Sequence, residues 1–254
     1  AMAETQSMFL DSLLSDPDWQ ARYARTIDGR AMPTELLLKG IEVSQPMAAW
    51  NLRAMCAVCY AERAIYEIPD AELTAQRVLD TIREIEARLL FLPEGSPRPV
   101  LSVPHLLSGE SSAYYHGYVL ADMAVHQTRE FFRKRDGHLV DNPRIGPDLR
   151  DAYWRPGNSF TFFDFVENLT GAPLTADAIA RDANRTVGEA LDEARAALRR
   201  ERTLPVSSDP IELDATIRVV HGRETVAELG REGFEAFAAT FARWIAARAG
   251  TSNS

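Results

Sequence analysis

The apolar residues of this chain change period once. From Met8 to about Arg202 they recur at three- and four-residue spacing, as in Val78, Leu79, Ile82, Ile85 and Leu89, which gives each stretch one helical face for a core. From Ile211 to Val219 apolar and polar residues alternate, the period of a half-buried strand. A chain patterned this way can build helix layers and at most a small sheet, so the expected class is mainly α with a small α/β extension at the C-terminal end. It is expected to be the only clear strand, and because a strand needs a pairing partner, residues 211–220 should meet another extended segment of this chain or of a neighbouring molecule.

Proline and glycine divide the helical body. The pattern predicts helices over Glu4–Leu14, Trp19–Thr26, Pro33–Tyr66 with a kink or break at Pro46, and Leu73–Leu92. Residues 93–99 hold three prolines and form a loop. Further helices are expected over Ser112–Arg133, from Pro143 to the turn at Arg155–Ser159, over Phe160–Leu169, from Thr175, over Val187–Arg202 and over Phe234–Arg248. The four phenylalanines between 160 and 169 read as a buried stretch.

The 254 residues are enough to bury a full core. A net charge of −9 disfavours nucleic acid or an anionic membrane as partner, and no apolar run approaches the roughly 20 residues that span a bilayer. The first residue is alanine, as in a processed chain or one that keeps a remnant ahead of its natural start. Cys56 and Cys59 lie in a helical apolar pattern and read as reduced core thiols of a cytoplasmic protein.

The polar chemistry concentrates in His105–Tyr118, where a histidine, a short loop and three tyrosines follow one another. Tyr115 and Tyr118 are three residues apart and share a face if helical, and Gly109 allows the loop to fold back beside them. Phenol and imidazole donors aimed at one point suit an oxyanion; the same residues also suit a core whose hydroxyls find partners at its rim. Of the other histidines, His126 pairs with Asp122 at i, i+4 as a two-ligand metal candidate with His116 as a further candidate ligand, and His138 is expected to be exposed in a turn. No His-Glu-x-x-His, Gly-x-Ser-x-Gly or phosphate-loop motif occurs.

His105, followed by Tyr115 and Tyr118 and then the helix Val119–Phe132, resembles the C-terminal catalytic segment of the thimet oligopeptidase family of zinc metallopeptidases. Asn142-Pro143, the turn Arg155–Ser159 and the stretch Phe165–Asp177 resemble later motifs of that family in the same order. Glu4–Asp11 is similar to the helix that carries its third zinc ligand, and Asp18–Tyr66 to the stretch that follows. The resemblance covers Ala3 to about Arg185. It departs from the family in three ways. The His-Glu-x-x-His segment is absent, the loop Ser108–Ser112 has one glycine and no tyrosine, and that loop is one residue longer, which leaves Tyr114 as a rival to Tyr115 for the first tyrosine position.

The resemblance implies a multi-helical, zincin-like catalytic-domain fragment over residues 1–187, with Gly188–Ser254 as an extension of helix, strand and helix. It implies a zinc-dependent endopeptidase acting on short peptides, with Glu4 as a zinc ligand and His105, Tyr115 and Tyr118 as catalytic donors. Ser108, Gly109, Glu110 and Tyr114 would bind substrate. Two zinc-binding histidines and the general base would come from a segment or subunit that carries His-Glu-x-x-His, so this chain alone is expected to be inactive. The alternative expectation is a non-catalytic helical module, either an interaction subunit or a degenerate peptidase.

Overall fold

The computed structural model describes residues 1–96, 100–205, 216–230 and 233–249. It divides into two compact units, Ala1–Pro205 and Val206–Ser254. The first is helical: α1 (Met2–Leu13), α2 (Pro17–Tyr23), α3 (Thr34–Ser44), α4 (Ala48–Tyr66), α5 (Ala75–Leu90), α6 (His116–Asp136), α7 (Ile145–Leu149), α8 (Phe162–Thr170), α9 (Asp177–Asn184) and α10 (Val187–Glu201). The mainly α class is thus observed. Among the described residues, no helix is long and apolar enough to cross a membrane.

Local chemistry explains most of the boundaries. Thr74 caps α5 by accepting the Arg77 amide at 3.1 Å, and α8 and α10 open with reciprocal capping boxes, Thr161 with Asp164 and Thr186 with Glu189. Gly137 and Gly171 close α6 and α8 in the left-handed conformation that glycine adopts without steric cost. Pro46 breaks the α3–α4 run through a single 3-10 turn, Gln45–Met47.

Two apolar cores result. Helix α1 lies along α6, and Phe9, Val125, Phe132, Leu149, Tyr153 and Phe165 close one core there. Helices α4 and α5 pair to form the other, with Ala57, Ala61, Ile82, Ile85, Val100 and Leu106. Of the four phenylalanines expected to be buried, only Phe165 is enclosed. Phe160, ahead of α8, and Phe163 on its outer face are about half exposed, since α8 is a surface helix with one inward face.

The unit boundary lies past the one expected at 187. Buried Arg22 on α2 bonds Asp141 and Glu201, the latter at 3.1 Å, and donates to the carbonyls of Glu201, Leu204 and Pro205 at 3.0 to 3.2 Å. That fork fastens the end of α10 to α2, so α10 belongs to the helical body and not to the extension.

In the second unit β1 (Arg218–His221) pairs antiparallel with β2 (Glu224–Glu228), with a bulge between Val219 and Val220. Val226 and Ala227 are buried where β2 meets α11 (Gly233–Ala249). The strand expected at 211–220 is extended from 218, residues 211–215 lie outside the described residues, and the pairing partner is a second strand, β2.

Arg22→Ala should cost roughly 3 kcal/mol, since it leaves two carboxylates and three carbonyls short of a donor; urea unfolding of the two proteins measures it. Asp136 gives a pH prediction. The hydrogen bond from Arg135 holds its carboxyl at about 2, against burial and with help from Asn142. A carboxyl with a depressed folded pKa stabilises the fold above its unfolded value near 4 and loses that contribution as pH falls toward 2. The Tm of wild type should therefore fall between pH 4 and pH 2 more steeply than that of Asp136→Asn.

Candidate functional site

The site is assembled on α4. Its exposed end carries Tyr66, and one turn earlier Glu62 lies in the apolar register of Ala57, Val58 and Ala61, 4% exposed. A carboxylate so enclosed must be hydrogen-bonded. Glu62 accepts the backbone amides of Tyr114 and Tyr115 at 3.2 and 3.0 Å, and Tyr66 donates to the Leu106 carbonyl at 3.1 Å. Residues 62 and 66 share a helix face, so one stripe of α4 holds the histidine turn and the tyrosine turn side by side. Glu86 on α5, 1% exposed, accepts the amides of Ser96 and Val100 at 2.9 and 2.8 Å and anchors the chain that leads to His105.

Residues 100–115 run through short 3-10 turns, Val100–Ser102, Pro104–Leu107 and Gly109–Ser111. Helix α6 begins at His116 and not at Ser112, because the amides of Tyr114 and Tyr115 go to Glu62 and Ala113 takes a left-handed turn with φ 56°. Of the three tyrosines only Tyr118 is helical. Tyr115 caps the helix, and the Tyr118 amide donates to its carbonyl at 3.0 Å.

Around Tyr118 the rings converge. Its centroid lies 5.3 Å from His105, 5.2 Å from Tyr115 and 6.1 Å from Tyr114. Tyr118 Oη and His105 Nε2 are 3.1 Å apart, and buried His105 Nδ1 has no hydrogen-bond partner among the described residues. An uncharged imidazole offers one N–H, so whichever nitrogen carries it, either that Nδ1–H or the Tyr118 O–H is left uncommitted.

Tyr114 donates to Glu4 Oε2 at 2.9 Å, which brings α1 to the same cluster. Burial and the Glu4 carboxylate push its phenol up to about 12. Burial opposes ionisation of Glu4 itself, but hydrogen bonds from the Ala1 ammonium and Tyr114 outweigh it and hold that carboxyl below its ordinary value. Gly117 makes the approach possible: a Cβ there would come within 3.0 Å of the Tyr114 ring.

Glu4, His105, Tyr114, Tyr115 and Tyr118 are thus brought together. Ser108, Gly109 and Glu110 lie exposed on the neighbouring turn, and His116 is exposed at the start of α6. Glu62, Tyr66, Glu86 and Gly117 were not anticipated. The available signal was an acid placed where the apolar pattern calls for a hydrophobic residue, at 62 and again at 86.

The other candidates separate from this cluster. Cys56 and Cys59 are free and half-buried on α4, and burial pushes the Cys59 thiol up to about 12, a poor state for a metal ligand. His126 Nδ1 is 2.5 Å from Asp182 and Nε2 is 3.8 Å from Asp122. His138 is half-buried, not exposed, with Nδ1 3.2 Å from the Asp136 carbonyl. Among the described residues no three His, Cys, Asp or Glu side chains are grouped to hold a metal ion, so the three-ligand set that zinc requires is not met by Glu4 and its neighbours alone.

No protein-family model, curated protein or solved structure matches this chain.

Glu62→Ala strands two amide hydrogens and should destabilise the protein by roughly 2 kcal/mol. Hydrogen exchange should locate the effect, with the Tyr114 and Tyr115 amides losing protection first.

Proposed function

We propose that this chain is the oxyanion-binding and substrate-binding portion of a zinc-dependent endopeptidase that hydrolyses short peptides. What supports the reading is one observation: residues 4 and 105–118, far apart in sequence, meet in a cluster of phenols and an imidazole beside a carboxylate. Packing alone requires the rings to be covered, whereas this arrangement also leaves a donor uncommitted beside an acid that attracts cations.

In this reading His105 Nε2–H donates to Tyr118, whose own O–H is presented to the carbonyl oxygen of the scissile peptide as charge develops on it. Tyr115 supports the Tyr118 ring, and Tyr114 orients Glu4. The exposed turn Ser108–Glu110 offers backbone groups to an extended peptide. Zinc, if held here, would supply Lewis-acid polarisation of a water. Glu4 is the one ligand this chain contributes, and a segment or subunit with His-Glu-x-x-His would provide the rest and the general base. The described residues do not supply a three-ligand set for zinc by themselves, so the step at the metal is not assigned to them.

The test has two arms. The chain alone should retain far less than stoichiometric zinc after dialysis and leave a quenched fluorescent peptide uncleaved. Joined to a helix bearing His-Glu-x-x-His, it should gain chelator-sensitive cleavage, and Tyr118→Phe should then lower kcat by about 10² to 10³ with the fold intact. Stoichiometric zinc in the chain alone would overturn the assignment of ligands. Unchanged kcat in Tyr118→Phe would remove that hydroxyl from the oxyanion role, and a joined protein that binds zinc yet cleaves nothing would favour a non-catalytic helical module.

A further inference from the structure

A second polar site lies inside the helical unit, apart from the ring cluster. A cavity of about 430 Å³ opens among α1, the start of α2, α3, α6, α9 and α10, and neither Glu4, His105 nor any tyrosine lines it. Such a volume suits a small molecule, whose pockets run from roughly 300 to 1,000 Å³. Val125, Leu139, Ala190 and Ala194 give part of the wall an apolar lining.

The charged part of the wall is one chain of ion pairs. Arg129 bonds Asp16, and Arg133 lies 3.3 Å from both Asp16 and Glu193. Arg185 bonds Glu193 and lies 3.6 Å from Asp182, which holds His126 Nδ1 at 2.5 Å. Bases stand at both ends of this chain, so each of its acids is shared by two of them. Each guanidinium then carries more N–H donors than its share of carboxylate oxygens can take up.

The surplus falls on Arg185. Its backbone is fixed at the end of α9 by Gln45, whose Nε2 donates to the carbonyls of Asp182 and Arg185 at 3.1 Å each. Its Nη1 bonds Glu193 on α10. The other edge of the guanidinium, Nε with Nη2, makes no hydrogen bond among the described residues: buried Nε has no partner, and the 3.6 Å from Nη2 to Asp182 is too long for one. That edge is the fork whose two N–H groups match the two oxygens of a carboxylate.

We propose that this cavity binds a small organic acid, its carboxylate held side-on by Nε and Nη2 of Arg185 and its apolar body against Val125, Leu139, Ala190 and Ala194. A buried donor of a charged group is costly without an acceptor, and a ligand oxygen removes that cost where no protein group does. Arg133, which shares Glu193 with Arg185, and Arg200, exposed on the same wall, add positive charge. Asp11, Asp18 and Asp122 line the cavity outside the chain of pairs. They oppose a second negative charge, so the site takes a monoanion in preference to a phosphate dianion. The proposal is independent of the peptidase reading.

The experiment is isothermal titration of the full chain with butyrate, with N-acetylleucine as the free carboxyl end of a peptide, with inorganic phosphate, and with butylammonium as the cationic control. Wild type should bind both carboxylates saturably, phosphate more weakly and butylammonium not at all. Tighter binding of N-acetylleucine assigns the carboxylate to a peptide end, and tighter binding of butyrate to a small metabolite. Both support the site. Arg185→Lys keeps the charge and loses the fork, so it should weaken carboxylate binding by about tenfold or more. If that variant does not fold, wild type still decides: butyrate should shift the NMR signals of the Arg185 Nε–H and the Ala190 methyl and leave the Tyr118 ring unmoved. No saturable binding at millimolar carboxylate, phosphate or butylammonium binding as tightly as butyrate, equal affinity in folded Arg185→Lys, or an unmoved Arg185 Nε–H would each overturn the proposal.

Discussion

The grip of the Glu62 carboxylate on two backbone amides is the interaction on which the candidate site depends. Those amides belong to Tyr114 and Tyr115, at the point where the chain passes from 3-10 turns into α6. With no intrahelical acceptor they would be unpaired beside an apolar core, and an apolar residue at 62 would leave them so. By taking both, Glu62 fixes where α6 starts and therefore which way Tyr118 projects. Tyr66 and Glu86 hold the preceding segment in the same manner, side chain to backbone, so His105 approaches Tyr118 from a second fixed direction. Irregular backbone is positioned here by buried acids on regular helices, and His105, Tyr114 and Tyr115 ride on the irregular part.

Two helix surfaces then complete the arrangement. Gly117 lets the Tyr114 ring lie against the first turn of α6, and α1, packed along α6, brings Glu4 to its hydroxyl. Farther along α6, Asp122, His126 and Arg129 line the interhelical cavity. One helix thus carries a phenolic donor cluster at its N-terminal end and lines a polar cavity along its middle.

Much of the fold is legible in the sequence because its determinants are local. The 3.6 period along Val78–Leu89, the break at Pro46 and the stops at Gly137 and Gly171 each act within a few residues of the feature they decide. The starting point of α6 is not legible, since the residue that displaces it, Glu62, lies over fifty positions upstream. Nor is the membership of α10, which depends on Arg22 reaching across from α2. The phenylalanines of 160–169 mislead because a count of apolar residues says nothing of which face of α8 has a neighbour. For the site, spacing shows that Tyr115 and Tyr118 are close but cannot show that Tyr114 is the one that reaches Glu4. The structure gives Tyr114 the carboxylate and Tyr115 the ring contact with His105 and Tyr118.

The central claim is that Glu4 and the tyrosine turn form one site, and the energy shared between Glu4 and Tyr114 measures it. A double-mutant cycle of Glu4→Gln and Tyr114→Phe, read from urea unfolding, isolates that pair from the burial of either residue. The charge-assisted hydrogen bond between them predicts a coupling of about 1 kcal/mol or more. Strict additivity, within about 0.3 kcal/mol, would mean that the two side chains do not meet and would contradict the account.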